Sequence, residues 1–313
     1  MKAFNDISEA KIIYMGTPEI SAEVFSSLIE AGFHFVAAIT NEDKPVGRRH
    51  DPQPTPVKKV ALEHGIPVFQ PHRIRLENDF LKEIPCDLIL TMAYGQIVPL
   101  EVLKHPKYGC LNLHGSLLPK YRGAAPMQRA IMDGEKETGA TLMEMVEGMD
   151  AGRMYAKVSF PIEESDNYES VCKKMAAAAS RAAIDNILKY LNGELPGVPQ
   201  NEKQVTFAAK ILPEDEHLPL DLTPEQTIRY INALSPKPGA YLNLKGKKLK
   251  ILSAKPYQGK GEKGEIILAK KGLAIATLSG AIEILTLQPE GKKPMGAKDF
   301  VNGNPNLLGE RLD

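Results

Sequence analysis

Short apolar runs alternate with helix-length amphipathic stretches through the first half of the chain, and that rhythm constrains the fold most. Cys86–Ala93 (CDLILTMA) is the clearest run. It does not alternate polar with apolar, which suits a parallel strand buried on both faces. Lys11–Met15, Phe33–Thr40, Val68–Phe69 and Cys110–His114 read as further strands. Between them, Thr17 is a candidate N-cap with Pro18 at the first helical position, opening a helix that runs to Ala31 and stops at Gly32. Val57–His64 reads as a second helix closed by Gly65, and Pro126 starts a third that Gly134 ends. Gly139–Val146 and Arg153–Phe160 read as a strand pair around the loop Glu147–Gly152, followed by a long helix over Ser165–Leu191. Strand–helix–strand units in series imply an α/β fold, a doubly wound, mostly parallel, Rossmann-like sheet.

The pattern changes after Gly193–Gln200 (GELPGVPQ), a Pro/Gly-rich stretch. One helix follows, Thr223–Leu234, with Thr223 as N-cap and Pro224 at N1. Then come five short strands without crossover helices: Gly239–Leu244, Lys248–Pro256, Gly264–Ala269, Gly272–Leu278 and Ala281–Gln288. These predict a small OB-like β-barrel. The expected organisation is a first domain over 1–192, a linker over 193–208 and a second domain over 209–313. At 313 residues the chain exceeds the usual single-domain range of roughly 50 to 250, in keeping with two domains.

Formal net charge is zero, but it is unevenly spread. From Tyr241 to Asp313, thirteen Lys plus Arg against seven Asp plus Glu leave an excess of +6, so the first 240 residues carry −6. A basic C-terminal part on a neutral chain bears on partners. The three cysteines, Cys86, Cys110 and Cys172, are scattered and form no C-x-x-C pair. That argues against a zinc site and a disulfide framework and fits a reducing compartment. The seven histidines show no ligand spacing, so no metal is expected. No signal peptide or membrane-length apolar run is visible, and a cytoplasmic location is expected.

The chemistry concentrates at Leu111–Pro119 (LNLHGSLLP). Strand side chains alternate between faces, so Leu111 and Leu113 share one and Asn112 and His114 the other. An amide donor beside a titratable ring at the carboxyl end of a strand is how a polar site is built in an open α/β sheet. The plainer alternative is an edge strand with a solvated Asn and His. Asp150, in Glu147–Gly152, is the third candidate. A turn aspartate between glycines often bonds its own backbone; the functional reading makes it the carboxylate that supports His114. Together the three would serve acyl transfer: Asn112 and a protonated His114 stabilise charge on oxygen, and the carboxylate helps manage the proton of an attacking amine.

Leu111–Pro126 (LNLHGSLLPKYRGAAP), Glu137–Thr141 (ETGAT) and Met149–Gly152 (MDAG) resemble the formyltransferases that use 10-formyltetrahydrofolate. Tyr14–Pro18, Lys44–Arg48 and Ser235–Ala240 extend the resemblance over most of the chain. Tyr121, Ile20 and Tyr241 depart from it, standing where the family commonly has Trp, Phe and Trp, and the chain contains no Trp. The resemblance implies that Asn112, His114 and Asp150 are the catalytic trio. It also implies that Ser116, Leu117, Leu118 and Pro119 lie along the tetrahydrofolate of the 10-formyltetrahydrofolate co-substrate.

The resemblance implies that the acceptor is the α-amino group of methionine on initiator methionyl-tRNA. Asn41–Lys59 carries Lys44, Arg48, Arg49, Lys58 and Lys59 among four prolines. It reads either as a solvated surface loop or as a basic finger on tRNA phosphates, with Lys44, Arg48 and Arg49 in contact. Lys245, Lys247, Lys248 and Lys250 have the same two readings, a solvated face or a tRNA backbone track, and the first three are the expected contacts. An amino-sugar acceptor would not need the basic loop and the barrel. A glycinamide ribonucleotide acceptor would call for a Gly-rich phosphate loop where Met15–Pro18 stands. A non-catalytic RNA-binding protein would leave the trio without purpose. A monomer is expected.

Overall fold

The computed structural model describes residues 3–46 and 51–313. The chain divides into two compact units. One comprises Met1–Gly123, Glu137–Phe160 and Cys172–Phe207; the other comprises Ala124–Lys136, Pro161–Val171 and Ala208–Asp313.

The first unit is built on a seven-stranded sheet. From one edge to the other the strands are Met154–Pro161, Glu137–Glu144, Cys110–His114, Leu88–Met92, Ile12–Gly16, Phe35–Ile39 and Val68–Phe69. The five strands from Cys110–His114 to Val68–Phe69 run parallel, and Glu137–Glu144 joins antiparallel to Cys110–His114. Every residue of Ile12–Gly16 and of Leu88–Met92 is buried, which is why neither strand alternates in sequence. Tyr14 stacks on Phe25 at 4.4 Å between ring centroids, and its hydroxyl donates to the Ser21 carbonyl at 2.8 Å. A buried Tyr whose O–H finds a carbonyl is the arrangement that burial demands.

Two local signals resolve differently from expectation. Pro18, not Thr17, occupies the N-cap of helix Glu19–Glu30. The Thr17 hydroxyl instead donates to the Tyr94 carbonyl at 3.1 Å and ties the first turn to the neighbouring strand's end. The long helix starts at Tyr168 rather than Ser165. Asn167 Oδ1 accepts from the Ser170 amide, and the Ser170 hydroxyl accepts from the Asn167 amide, both at 3.0 Å. That reciprocal pair sets the first turn.

The Pro/Gly-rich stretch is tied to the first unit. Met154 and Val198 exchange two backbone hydrogen bonds of 2.9 Å. The Cys86 thiol, half-buried, is pushed up to about 12 by burial, with the Asp87 charge adding to the shift. Cys110 is buried and its thiol is pushed up as well, so both behave as small hydrophobes.

In the second unit, Thr223 caps helix Pro224–Leu234 through a capping box with Gln226. An antiparallel sheet follows in the order Ala240–Leu244, Lys247–Tyr257, Ala281–Pro289, Leu273–Ala276, Ile266–Leu268, with Met295–Gly296 beside Ala281–Pro289. Leu242, Leu249, Ile251, Ile275, Ile282 and Ile284 face one shared core. The last residues draw the two edge strands together. Glu310 accepts from the Ile266 amide at 2.8 Å, and the Asp313 amide donates to the Asn243 carbonyl at 3.1 Å. The sheet therefore curls onto itself, as an OB-like barrel requires. Among the described residues, no helix is long and apolar enough to cross a membrane.

Candidate active site

The strand Cys110–His114 divides its side chains as its sequence dictates. Leu111 and Leu113 are buried in apolar surroundings. Asn112 and His114 share the opposite face and stand across from Met143 and Thr141 of the antiparallel neighbour. Burying a leucine contributes roughly 1.5–3 kcal/mol, so a one-residue slip that reversed the faces would be costly.

His114 is buried, and both ring nitrogens face oxygen. Nε2 lies 2.9 Å from the Tyr121 carbonyl. A carbonyl only accepts, so Nε2 carries a hydrogen and donates it. Nδ1 lies 3.6 Å from Asp150 Oδ2. That gap is longer than a hydrogen bond, so Nδ1 faces the carboxylate without being bonded to it. Asp150 is no ordinary turn aspartate. Its Oδ2 accepts from the Gly123 amide at 2.8 Å, and its own φ is +48°, a left-handed value that asparagine and aspartate tolerate better than most side chains. The loop is pressed against a strand: a Cβ on Gly152 would sit 2.0 Å from the Glu144 carbonyl oxygen. Only glycine permits that approach.

Asn112 is oriented by a residue that the sequence did not single out. The Thr91 hydroxyl, on the adjacent parallel strand, donates to Asn112 Oδ1 at 2.9 Å. The Leu111 carbonyl at 3.2 Å and Met145 Sδ at 3.0 Å are alternative acceptors for the same hydrogen. With its oxygen on Thr91, the amide presents its two N–H donors away from Thr91. The only signal of this in sequence is a hydroxyl inside the apolar run of Cys86–Ala93.

Ser116–Pro119 divides into two kinds of residue. Ser116 and Leu118 are fully buried, while Leu117 and Pro119 are half-buried. Ser116 Oγ donates to the Lys120 carbonyl at 2.6 Å, and the Thr141 hydroxyl donates to the Ser116 carbonyl at 2.6 Å. Lys157 Nζ donates to the Leu118 carbonyl, and burial holds its amine below the usual lysine range. The segment is thus a fixed wall whose accessible side chains are Leu117 and Pro119.

The basic residues have different fates. Lys44 lies in a two-stranded ribbon, Lys44–Val46 paired with Asp51–Gln53. Arg48 and Arg49 lie outside the described residues. Lys58 is committed to Asp43 at 2.6 Å and to Gln70 at 2.7 Å, and the Lys58 hydrogen bond holds the Asp43 carboxyl below the usual range. In the second unit, Lys245 and Gly246 both have positive φ, +52° and +76°, as a two-residue hairpin turn requires. Lys245, Lys247, Lys248 and Lys292 line a groove of about 430 Å³ floored by Leu249, Phe300 and Leu307. Lys245 pairs with Glu310 at 3.1 Å, and Lys248 sits over the Tyr241 ring at 4.1 Å. Among the described residues, no group of three or more His, Cys, Asp or Glu is arranged to hold a metal ion.

Comparison with known proteins decides the family. The formyl transferase family profile matches residues 10–187, and the profile of the formyl transferase C-terminal domain matches 210–305. This chain belongs to the formyltransferase family. Methionyl-tRNA formyltransferases from Streptococcus pyogenes are similar to it: that of serotype M28 is 40% identical over 97% of each chain, and that of serotype M1 is 39% identical over the same share. Solved structures share the fold at lower identity. HypX from Aquifex aeolicus in complex with tetrahydrofolic acid superposes with a TM-score of 0.66 at 20% identity, covering 96% of this chain and 48% of that one. The chain therefore spans about half the length of HypX. WlaRD, a sugar 3N-formyl transferase, superposes with a TM-score of 0.67 at 19% identity, covering 91% and 99%. The fold is thus shared by proteins named for different chemistries, and the acceptor must be argued separately.

Proposed function

We propose that this formyltransferase moves the formyl group of 10-formyltetrahydrofolate to the α-amino group of methionine on initiator methionyl-tRNA. The observation that carries the chemistry is His114, held at Nε2 by the Tyr121 carbonyl and facing Asp150 across 3.6 Å at Nδ1. The acceptor rests on the S. pyogenes relatives, similar over both domains.

The folate supplies an activated formyl carbon. Leu117 and Pro119 form the wall it lies on, and the buried Ser116 and Leu118 keep that wall in place. As the amine attacks, negative charge develops on the formyl oxygen. The Asn112 Nδ2 hydrogens and a hydrogen on His114 Nδ1 stabilise that charge, because both are fixed before the reaction and cost no reorganisation during it. The long Nδ1–Asp150 separation leaves that hydrogen available. The attacking amine must lose a proton, and Asp150 accepts it through the oxygen not bonded to Gly123, directly or through water. The new bond joins the methionine nitrogen to the formyl carbon, the bond from that carbon to the folate nitrogen breaks, and the proton ends on the departing folate nitrogen. No nucleophilic side chain of the enzyme is needed.

Residues 1–192 carry the chemistry, 193–208 link the two parts, and 209–313 hold the tRNA. Lys44, Arg48, Arg49, Lys245, Lys247 and Lys248 are the proposed phosphate contacts. The protein acts as a monomer in the cytoplasm, in keeping with scattered cysteines that form no C-x-x-C pair. One assay tests the acceptor: purified protein with 10-formyltetrahydrofolate and, in turn, charged initiator tRNA, free methionine and an amino-sugar nucleotide. Formylation of the charged tRNA alone is expected. Formylation of the sugar and not the tRNA would overturn the choice of acceptor.

A further inference from the structure

We propose that Gln200 is a positioning residue for catalysis, setting where the Asp150 carboxylate stands relative to His114. The proposal rests on the reading of Asp150 given above. Gln200 is fifty residues from Asp150 and belongs to the Pro/Gly-rich stretch. Its Nε2 donates to the Asp150 carbonyl at 2.7 Å and to the Gly152 carbonyl at 2.9 Å. Both partners can only accept, so this end of the amide is its NH2 and both hydrogens are used. The other end, Oε1, accepts from Arg122 Nε at 3.0 Å. Arg122 is itself 5% exposed and is held by Glu202 at 2.8 Å. Every polar atom of the Gln200 amide thus has its proper partner, and a flipped amide would set donor against donor and acceptor against acceptor.

What this bracket holds is the strained turn. Asp150 sits at a positive φ, and Gln200 clamps the carbonyls on both sides of Ala151. Such a conformation persists only where its surroundings over-determine it. The tripeptide Tyr121-Arg122-Gly123 supplies the other fixed points. The Tyr121 carbonyl holds His114 Nε2, the Arg122 side chain holds Gln200, and the Gly123 amide holds Asp150 Oδ2. Three consecutive residues therefore set both sides of the His114–Asp150 separation, and Gln200 is the link from this template to the Asp150 backbone. Displacements of about 1 Å at a reacting group cost on the order of 100-fold in rate.

The test is a double-mutant cycle on methionyl-tRNA formylation, with wild type, Gln200→Leu, Asp150→Ala and the double variant. Gln200→Leu should lower kcat about 10- to 100-fold, leave KM for tRNA and for 10-formyltetrahydrofolate within about twofold, and cost nothing further in the Asp150→Ala background. Gln200→Glu keeps the size and the Arg122 partner but turns an acceptor toward the two carbonyls; it should lose kcat likewise, and it serves if the leucine variant does not fold. An unchanged kcat, a loss confined to KM, or an undiminished loss without Asp150 would overturn the proposal. If Asp150→Ala alone retained full kcat, or wild type did not formylate the tRNA, the reading of the site would fall first and this inference with it. If those two controls behave and Gln200→Leu is fully active, only the inference fails.

Discussion

The polar face of Cys110–His114 and the lysine groove of the second unit are opposite kinds of surface. At the first, atoms are tied several times over: His114 by a carbonyl, Asp150 by an amide, Asn112 by a buried hydroxyl. At the second, Lys245, Lys247 and Lys248 stand exposed on a tight hairpin, with one ion pair and one ring contact among them. Stabilising charge in a transition state needs donors whose positions are already fixed. Gripping a phosphate backbone needs positive charge and little geometry. The contrast supports the proposal that chemistry belongs to the first surface and affinity to the second.

The largest effect that would sharpen this division comes from His114→Ala. Turnover should fall by about 10²- to 10⁴-fold, while equilibrium binding of methionyl-tRNA stays near wild type. A comparable loss of tRNA affinity would erase the distinction between the two surfaces. Thr91→Val should follow, with kcat down about tenfold and both KM values steady, because it frees the Asn112 amide to turn without emptying the site. Thr91→Ser should restore most of the rate. If serine fails to rescue, the hydroxyl is not what orients Asn112.

How much of this was legible in sequence depended on how far each cause lay along the chain. The alternation of Leu111 and Leu113 with Asn112 and His114 is a local property of a strand, and the structure shows it as read. The buried parallel strands were legible because both their faces are apolar. Thr91 was not, since a threonine within an apolar run is an ordinary strand residue until its neighbour across the sheet is known. Gln200 was hidden further: its partners are Arg122, Asp150 and Gly152, and proline and glycine around it signal a connector. Thr17 shows the opposite failure, a good local capping signal overridden by a bond to a residue 77 positions away.

On the basic surface the effects are smaller. Lys247→Ala should weaken tRNA binding by less than about 1 kcal/mol, as suits a solvated charge, and should lower the salt slope by close to one unit. Lys245→Ala should do less, because Glu310 already neutralises that lysine. Gel-shift titrations at several salt concentrations distinguish the two variants. A Lys245→Ala effect larger than that of Lys247→Ala would show that the Glu310 pair opens to meet the tRNA.

The division of labour is tested most directly by one series on the unmodified enzyme: kcat and KM for methionyl-tRNA over increasing salt, with the folate saturating. KM should climb steeply as the released counterions are restored to the tRNA, and kcat should hold nearly constant because His114 is buried, Asn112 and Asp150 are half-buried, and all three are held in place by hydrogen bonds. A KM that stays flat while kcat falls would contradict the account, placing the salt-sensitive charges at the chemistry rather than at the grip.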